Sequence, residues 1–145
     1  MKIEKVDHIC FAVKNLGRAM KVYEEILGLT PDLTYVSESE RIRVARYNLD
    51  GVGVELMEST SPDGEVAKFI KQRGEGFFLI SYKVDDVERG LKELTAKGKK
   101  PIDIKPRRMD GIRYAFLEPP EKMLGVLVEI LDGEWNPGLN AEKDL

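Results

Sequence analysis

Histidine and cysteine each occur once in this chain of 145 residues, as His8 and Cys10. A lone cysteine excludes an internal disulfide and fits a reducing cytoplasm. Long apolar runs are missing too; stretches such as Val126-Leu127-Val128 are far too short to cross a bilayer. The start, Met1-Lys2-Ile3-Glu4-Lys5, carries no apolar signal region and leads directly into a strand pattern. Nor is there an excess of positive charge: 23 Lys and Arg against 26 Asp and Glu leave a net charge of −3. That balance argues against general nucleic-acid binding. What is present, 42% hydrophobic and 34% charged residues, is the composition of a soluble globular chain. Its length suits one domain, 1–145, with a proper core.

The run Val6-Asp7-His8-Ile9-Cys10-Phe11-Ala12-Val13 alternates in polarity and predicts a half-buried strand, with Val6, His8, Cys10 and Ala12 sharing one face. Asn15 is placed to cap a helix over 16–27, where Leu16, Met20, Tyr23 and Leu27 recur at helical spacing and Gly28 follows as a stop. Strands are predicted at 32–36, 41–48 and 53–58, with Asp50-Gly51 turning the last hairpin. Ser61-Pro62-Asp63-Gly64-Glu65 opens a connecting helix over 66–72, ended by Gly74. A second series then predicts a strand at 76–84, a helix at 86–96 and strands near 101–104, 112–117 and 125–131. From Trp135 to Leu145, Asn, Pro, Gly and charge predict a loosely held tail.

The two series are copies of one pattern. Val13-Lys14-Asn15-Leu16 lies over Val84-Asp85-Asp86-Val87 at an offset of 71, and Ile42-Arg43-Val44-Ala45 over Ile112-Arg113-Tyr114-Ala115 at 70. Val54-Glu55-Leu56 lies over Val128-Glu129-Ile130 at 74, the extra four residues falling in the longer turn at 119–124. Two β-α-β-β-β modules, at about 4–60 and 76–132, are thus expected around a linker helix at about 61–75, with a tail at 133–145. Such a chain is α+β: a curved mixed sheet, helices outside, with a concave ligand cleft.

This order of elements and the motif His8-Ile9-Cys10-Phe11-Ala12-Val13 resemble the vicinal oxygen chelate superfamily of glyoxalases, bleomycin resistance proteins and dioxygenases. The likeness is closest to the methylmalonyl-CoA epimerases and runs from Val6 to Leu131. The stretch from Ser61 to Gly76 is similar to that group's linker, and Gly125-Val126-Leu127-Val128-Glu129 to its last strand. The resemblance implies one divalent metal (Co, Ni, Mn, Mg or Zn) held by the first and last strands of both modules. Carried over, the ligands are His8, Glu55 and Glu129. The fourth ligand position holds Leu79, the residue before it is Phe78, and a further histidine of the family stands here as Glu118. The resemblance further implies an isomerase or lyase that stabilises an enolate beside a thioester or similar carbonyl, with Glu129 and Glu55 as proton carriers. Its partner would be a small-molecule substrate such as an acyl-CoA, and its assembly a homodimer.

The residues speak for themselves as well. Glu55 and Glu129 each stand alone in a predicted strand, within Gly-Val-Glu-Leu-Met and Leu-Val-Glu-Ile-Leu. A buried carboxylate is costly unless it is paired or coordinated. The plainer alternative is a solvated sheet face, or pairing with Arg43 or Arg113. His8 could equally be a hydrogen-bonded strand histidine, and Cys10 is expected to pack as a small apolar residue. The run 97–108 holds six basic residues in twelve; a solvated loop is favoured over a phosphate clamp. A second function, metal-free binding of a small apolar ligand, follows from Leu79 together with Phe77, Tyr114, Leu127 and Leu131, which would give an apolar cavity.

Overall fold

In the computed structural model, which describes residues 1–137, the first module consists of β1 (Ile3–Ala12), α1 (Leu16–Val22), β2 (Leu33–Ser37), β3 (Ile42–Leu49) and β4 (Val52–Ser59). After α2 (Glu65–Arg73) the second consists of β5 (Gly76–Val84), α3 (Val87–Ala96), β6 (Arg107–Met109), β7 (Ile112–Phe116) and β8 (Leu127–Gly133). The fold is α+β, with strand order β2-β3-β4-β1 in the first module and β5-β8-β7-β6 in the second. In each, the outer hairpins are antiparallel, while the first and last strands of the module pair in parallel. By contacts the chain divides into two units: His8–Phe78, and Met1–Asp7 with the described residues from Leu79 onward. Among the described residues no helix is long and apolar enough to cross a membrane.

In the first module, the Asn15 side chain accepts the Arg18 N–H at 2.8 Å and starts α1. The helix ends differently from the expected uniform α form. Residues Tyr23–Leu27 wind as a π turn before Gly28, at φ 69°, stops the chain. A π turn advances less per residue than an α turn, so Leu27 falls off the buried stripe and is exposed. Tyr23 instead meets the Tyr47 ring at 5.0 Å, and burial raises the pKa of both phenols. Val13, Leu16, Ala45, Tyr47 and Leu56 form this core on the helix side of the sheet. Period-two alternation then puts His8, Cys10, Arg46 and Glu55 on the opposite face.

The Asp50-Gly51 turn has both residues at positive φ, 49° and 82°, the geometry that matches strand twist in a two-residue hairpin. It pairs Leu49 with Val52 and therefore Arg46 with Glu55.

The second module repeats the ladder. Cys10 faces Glu55 in the first, and Ser81 faces Glu129 in the second; His8 faces Gly53, and Leu79 faces Leu127. One strand lies elsewhere than expected. Residues 101–104 form no strand, although the N–H groups of Ile102 and Asp103 bond to the carbonyls of Leu117 and Phe116. Proline at 101 and 106 removes ladder donors, and the strand forms beyond them as β6. It pairs with β7 across a second tight turn, Asp110-Gly111, at φ 48° and 91°. The tail also begins more firmly than predicted. Trp135 packs on Ile112, Tyr114 and Leu131, and the Asn136 N–H bonds to the Asp110 carbonyl at 2.8 Å. Residues 138–145 of that tail lie outside the described ones.

Around α3, backbone N–H donors hold two carboxyls below their ordinary value: Lys2 on Asp85 and Arg89 on the capping Asp86. A depressed folded-state pKa gives stability that is complete above the unfolded value and lost as pH falls through the folded one. Acid titration of wild type should therefore lose stability below about pH 3.8. Followed by circular dichroism, Asp86→Asn should lose less over that interval; identical slopes would contradict the assignment.

Candidate functional site

Glu55 sits in mid-strand with only 2% of its surface exposed, between Cys10 on β1 and Arg46 on β3. Its Oε2 accepts Arg46 Nη1 at 2.8 Å. Its Oε1 lies 3.6 Å from Cys10 Sγ and 3.9 Å from His8 Nε2. The Tyr35 hydroxyl approaches both carboxylate oxygens at 3.4 Å. Arg46 reaches this position because Gly53 has no side chain: a Cβ there would stand 2.4 Å from the guanidinium carbon. Arg46 Nε also donates to Asn48 Oδ1 at 3.0 Å, which fixes the plane of the guanidinium.

His8, Cys10 and Glu55 are all buried, and one donor atom of each lies within 4.8 Å of the others. Nitrogen, sulfur and oxygen so gathered could hold a metal ion. The buried carboxylate is also paired, by Arg46. It is not paired by Arg43 or Arg113, the sequence's two candidates. Arg43 reaches Glu58 at 3.1 Å, and Arg113 makes a bidentate pair with Asp132, which raises the arginine's pKa.

Glu129 occupies the same register in the second module. It is 7% exposed, and its Oε1 accepts the Ser81 hydroxyl at 2.7 Å. Leu79 is 3% exposed and cannot ligate. Phe78 stacks edge-on against Phe69, and Glu118 accepts the Lys100 N–H at 2.8 Å. Within the basic run, Arg107 is bound to Asp103 and lies 4.8 Å over the Phe116 ring. A cavity of about 410 Å³ next to α2 is lined by Val13, Glu58, Thr60, Pro62 and Ile70 among others, and by none of His8, Cys10 or Glu55.

Sequence reasoning missed Arg46, Tyr35 and the donor geometry of Cys10. The signal for Arg46 was present, since a two-residue turn at Asp50-Gly51 places it opposite Glu55.

A duplicated β-α-β-β-β chain with a buried histidine on its first strand and a carboxylate in the last strand of each module defines a chelate-type scaffold. Residues 7–116 match the model of the Glyoxalase/Bleomycin resistance protein/Dioxygenase superfamily, and the chain belongs to that family. It is 30% identical over 131 residues to YqjC, an uncharacterized protein of Bacillus subtilis (strain 168), covering 90% of this chain and 93% of that one. It is 27% identical over 130 residues to the mitochondrial methylmalonyl-CoA epimerase of Dictyostelium discoideum, covering 88% and 78%. A solved methylmalonyl-CoA epimerase in complex with methylmalonyl-CoA and NH4+ superposes with a TM-score of 0.81 at 27% identity, covering 91% of this chain and 96% of that one.

Proposed function

We propose that the protein is an isomerase of the methylmalonyl-CoA epimerase kind, acting at the carbon beside a thioester or similar carbonyl with a divalent metal. His8, Glu55 and Glu129 would hold the metal, drawn from Co, Ni, Mn, Mg and Zn. The observation that carries this reading is the burial of His8 against Glu55, in a chain whose relatives include named epimerases. A glyoxalase-like lyase would use the same residues on another carbonyl substrate.

When bound, the metal supplies Lewis-acid stabilisation of negative charge on the substrate's carbonyl oxygen. The chain's residues do the rest. Arg46 and Tyr35 orient the Glu55 carboxylate, and Ser81 orients that of Glu129. Epimerisation breaks one C–H bond, lodges the proton on a carboxylate, and returns a proton to the opposite face of the carbon. Glu129 and Glu55 are the two carriers, and their burial keeps bulk water from competing.

Metal analysis of purified protein, beside deuterium exchange at the α-carbon of methylmalonyl-CoA, tests the reading. Exchange that needs added metal is the expected result. Protein that binds no metal and exchanges nothing would overturn it. A metal-free binder of small apolar ligands would then stand, supported by buried Leu79 facing Leu127, with Tyr114 and Leu131 in the same module's apolar cluster.

A reducing cytoplasm suits the buried Cys10 thiol. Assembly as a two-fold dimer belongs to the same proposal. Light scattering at micromolar concentration should give about twice the chain mass of 16.4 kDa, and the single-chain mass would refute it.

A further inference from the structure

Cys10 was expected to be a small core residue, and its second-module counterpart, Ser81, fills the same register with oxygen in place of sulfur. Its sulfur, however, is aimed at the same carboxylate oxygen that His8 approaches. We infer that Cys10 is itself a metal ligand, so that His8, Cys10 and Glu55 form a nitrogen, sulfur and oxygen triad within the first module, selective for zinc or cobalt over magnesium or manganese. The inference rests on the metal-dependent reading above and specifies its metal class.

Distance supports it first. Tetrahedral zinc bonds of about 2.0–2.3 Å place a sulfur and an oxygen ligand roughly 3.6 Å apart, and a nitrogen and an oxygen roughly 3.4 Å. The structure has 3.6 Å from Cys10 Sγ to Glu55 Oε1 and 3.9 Å from His8 Nε2 to the same atom. Both legs to that oxygen are thus within a few tenths of an ångström of the ligated values, and all three donor atoms lie within 4.8 Å of one another. Alternation on β1 supplies two of the donors, since His8 and Cys10 are two residues apart on one face, and the parallel register with β4 supplies the third.

Charge supports it independently. Arg46 neutralises Glu55, so even with the Glu129 carboxylate proposed above, a dication on the neutral imidazole and Glu55 would keep one positive charge in a buried place. A thiolate removes one unit of that charge. The ligating form of cysteine is the thiolate, so binding replaces the S–H bond by a metal–sulfur bond and releases the proton to solvent. Soft sulfur also selects the metal: magnesium and manganese prefer oxygen sites, whereas zinc and cobalt accept thiolate with imidazole. The position held by Leu79 then leaves no deficit, because the donor comes from β1.

The test uses the whole chain with cobalt(II) or zinc(II) as probe. Cobalt-loaded wild type should show an intense sulfur-to-cobalt charge-transfer band in the near ultraviolet. Zinc-loaded wild type should show one sulfur neighbour at about 2.3 Å by X-ray absorption. Cys10→Ser should lose the band and at least 10-fold in zinc affinity, the lower bound for even an outer partner of a metal ligand. The X-ray measurement needs no variant, so a poorly folding Cys10→Ser leaves the test intact. Metal bound through nitrogen and oxygen alone would overturn the role of Cys10 and leave the epimerase reading standing. Failure of wild type to bind either metal would overturn the inference, and the epimerase reading would fall with it only if nickel, manganese and magnesium also failed to bind.

Discussion

Replacing Arg46 with methionine should destabilise the metal-free protein by about 3–5 kcal/mol, the range for removing one partner of a buried ion pair. Glu55 and the Arg46 side chain are only 2% and 12% exposed, so water cannot readily take the place of the guanidinium. Methionine fills much of the volume and removes the charge, which makes the deficit electrostatic rather than a cavity. Urea unfolding of apo protein measures it. Gly53→Ala offers a second route to the same interaction, because the new methyl group would displace the guanidinium. The double variant should be less destabilised than the two single changes added together. Strict additivity, or a loss within experimental error of zero for Arg46→Met, would mean the pair contributes nothing. A metal changes the outcome in a telling way. With the fixed cation gone, Arg46→Met should bind zinc more tightly than wild type, and zinc should restore part of the lost stability.

Glu129→Gln should cut turnover in α-proton exchange by about 100- to 10,000-fold, the usual contribution of a placed acid–base group. The amide oxygen can still accept the Ser81 hydroxyl, so folding should survive and the loss should appear in kcat. Ser81→Ala should give a smaller loss, since it removes only the orienting bond. The melting temperature of Glu129→Gln, followed beside the kinetics, separates chemistry from packing. Turnover within a few-fold of wild type would remove Glu129 from the proton path.

Much of the fold can be read from local signals, and the reason lies in particular residues. Asn15 and Asp86 cap helices with their own side chains, and Asp50-Gly51 favours a tight turn of one hand. These cues fix boundaries without knowledge of the rest of the chain. The repeat adds register: two half-chains with the same spacing must ladder alike, and Cys10 with Glu55 does match Ser81 with Glu129. Where signals competed, local reading failed. Ile102 and Ile104 look like a strand, but Pro101 and Pro106 bracket them and interrupt the ladder around the Ile102 and Asp103 bonds, and regular pairing begins at the Asp110-Gly111 turn instead. The candidate site was legible in part. Lone carboxylates in apolar strands pointed to Glu55 and Glu129, which the structure buries, and the hairpin turn could have named Arg46. Cys10 could not be found this way, because the register of a parallel pair is set through a distant crossover and not by a turn.

The hairpins that end the two modules differ in one respect. Where the first turns in two residues at Asp50-Gly51, the second runs from Phe116 to Leu127 through a short 3-10 turn, and Leu124 there stands wholly in solvent at φ 63°. Both ladders beside that turn stay in register, so its length is decoupled from everything the strands hold in place. The chain thus keeps slack in this turn, where a foreign segment could be grafted while the alignment of Glu129 with Ser81 stayed as it is.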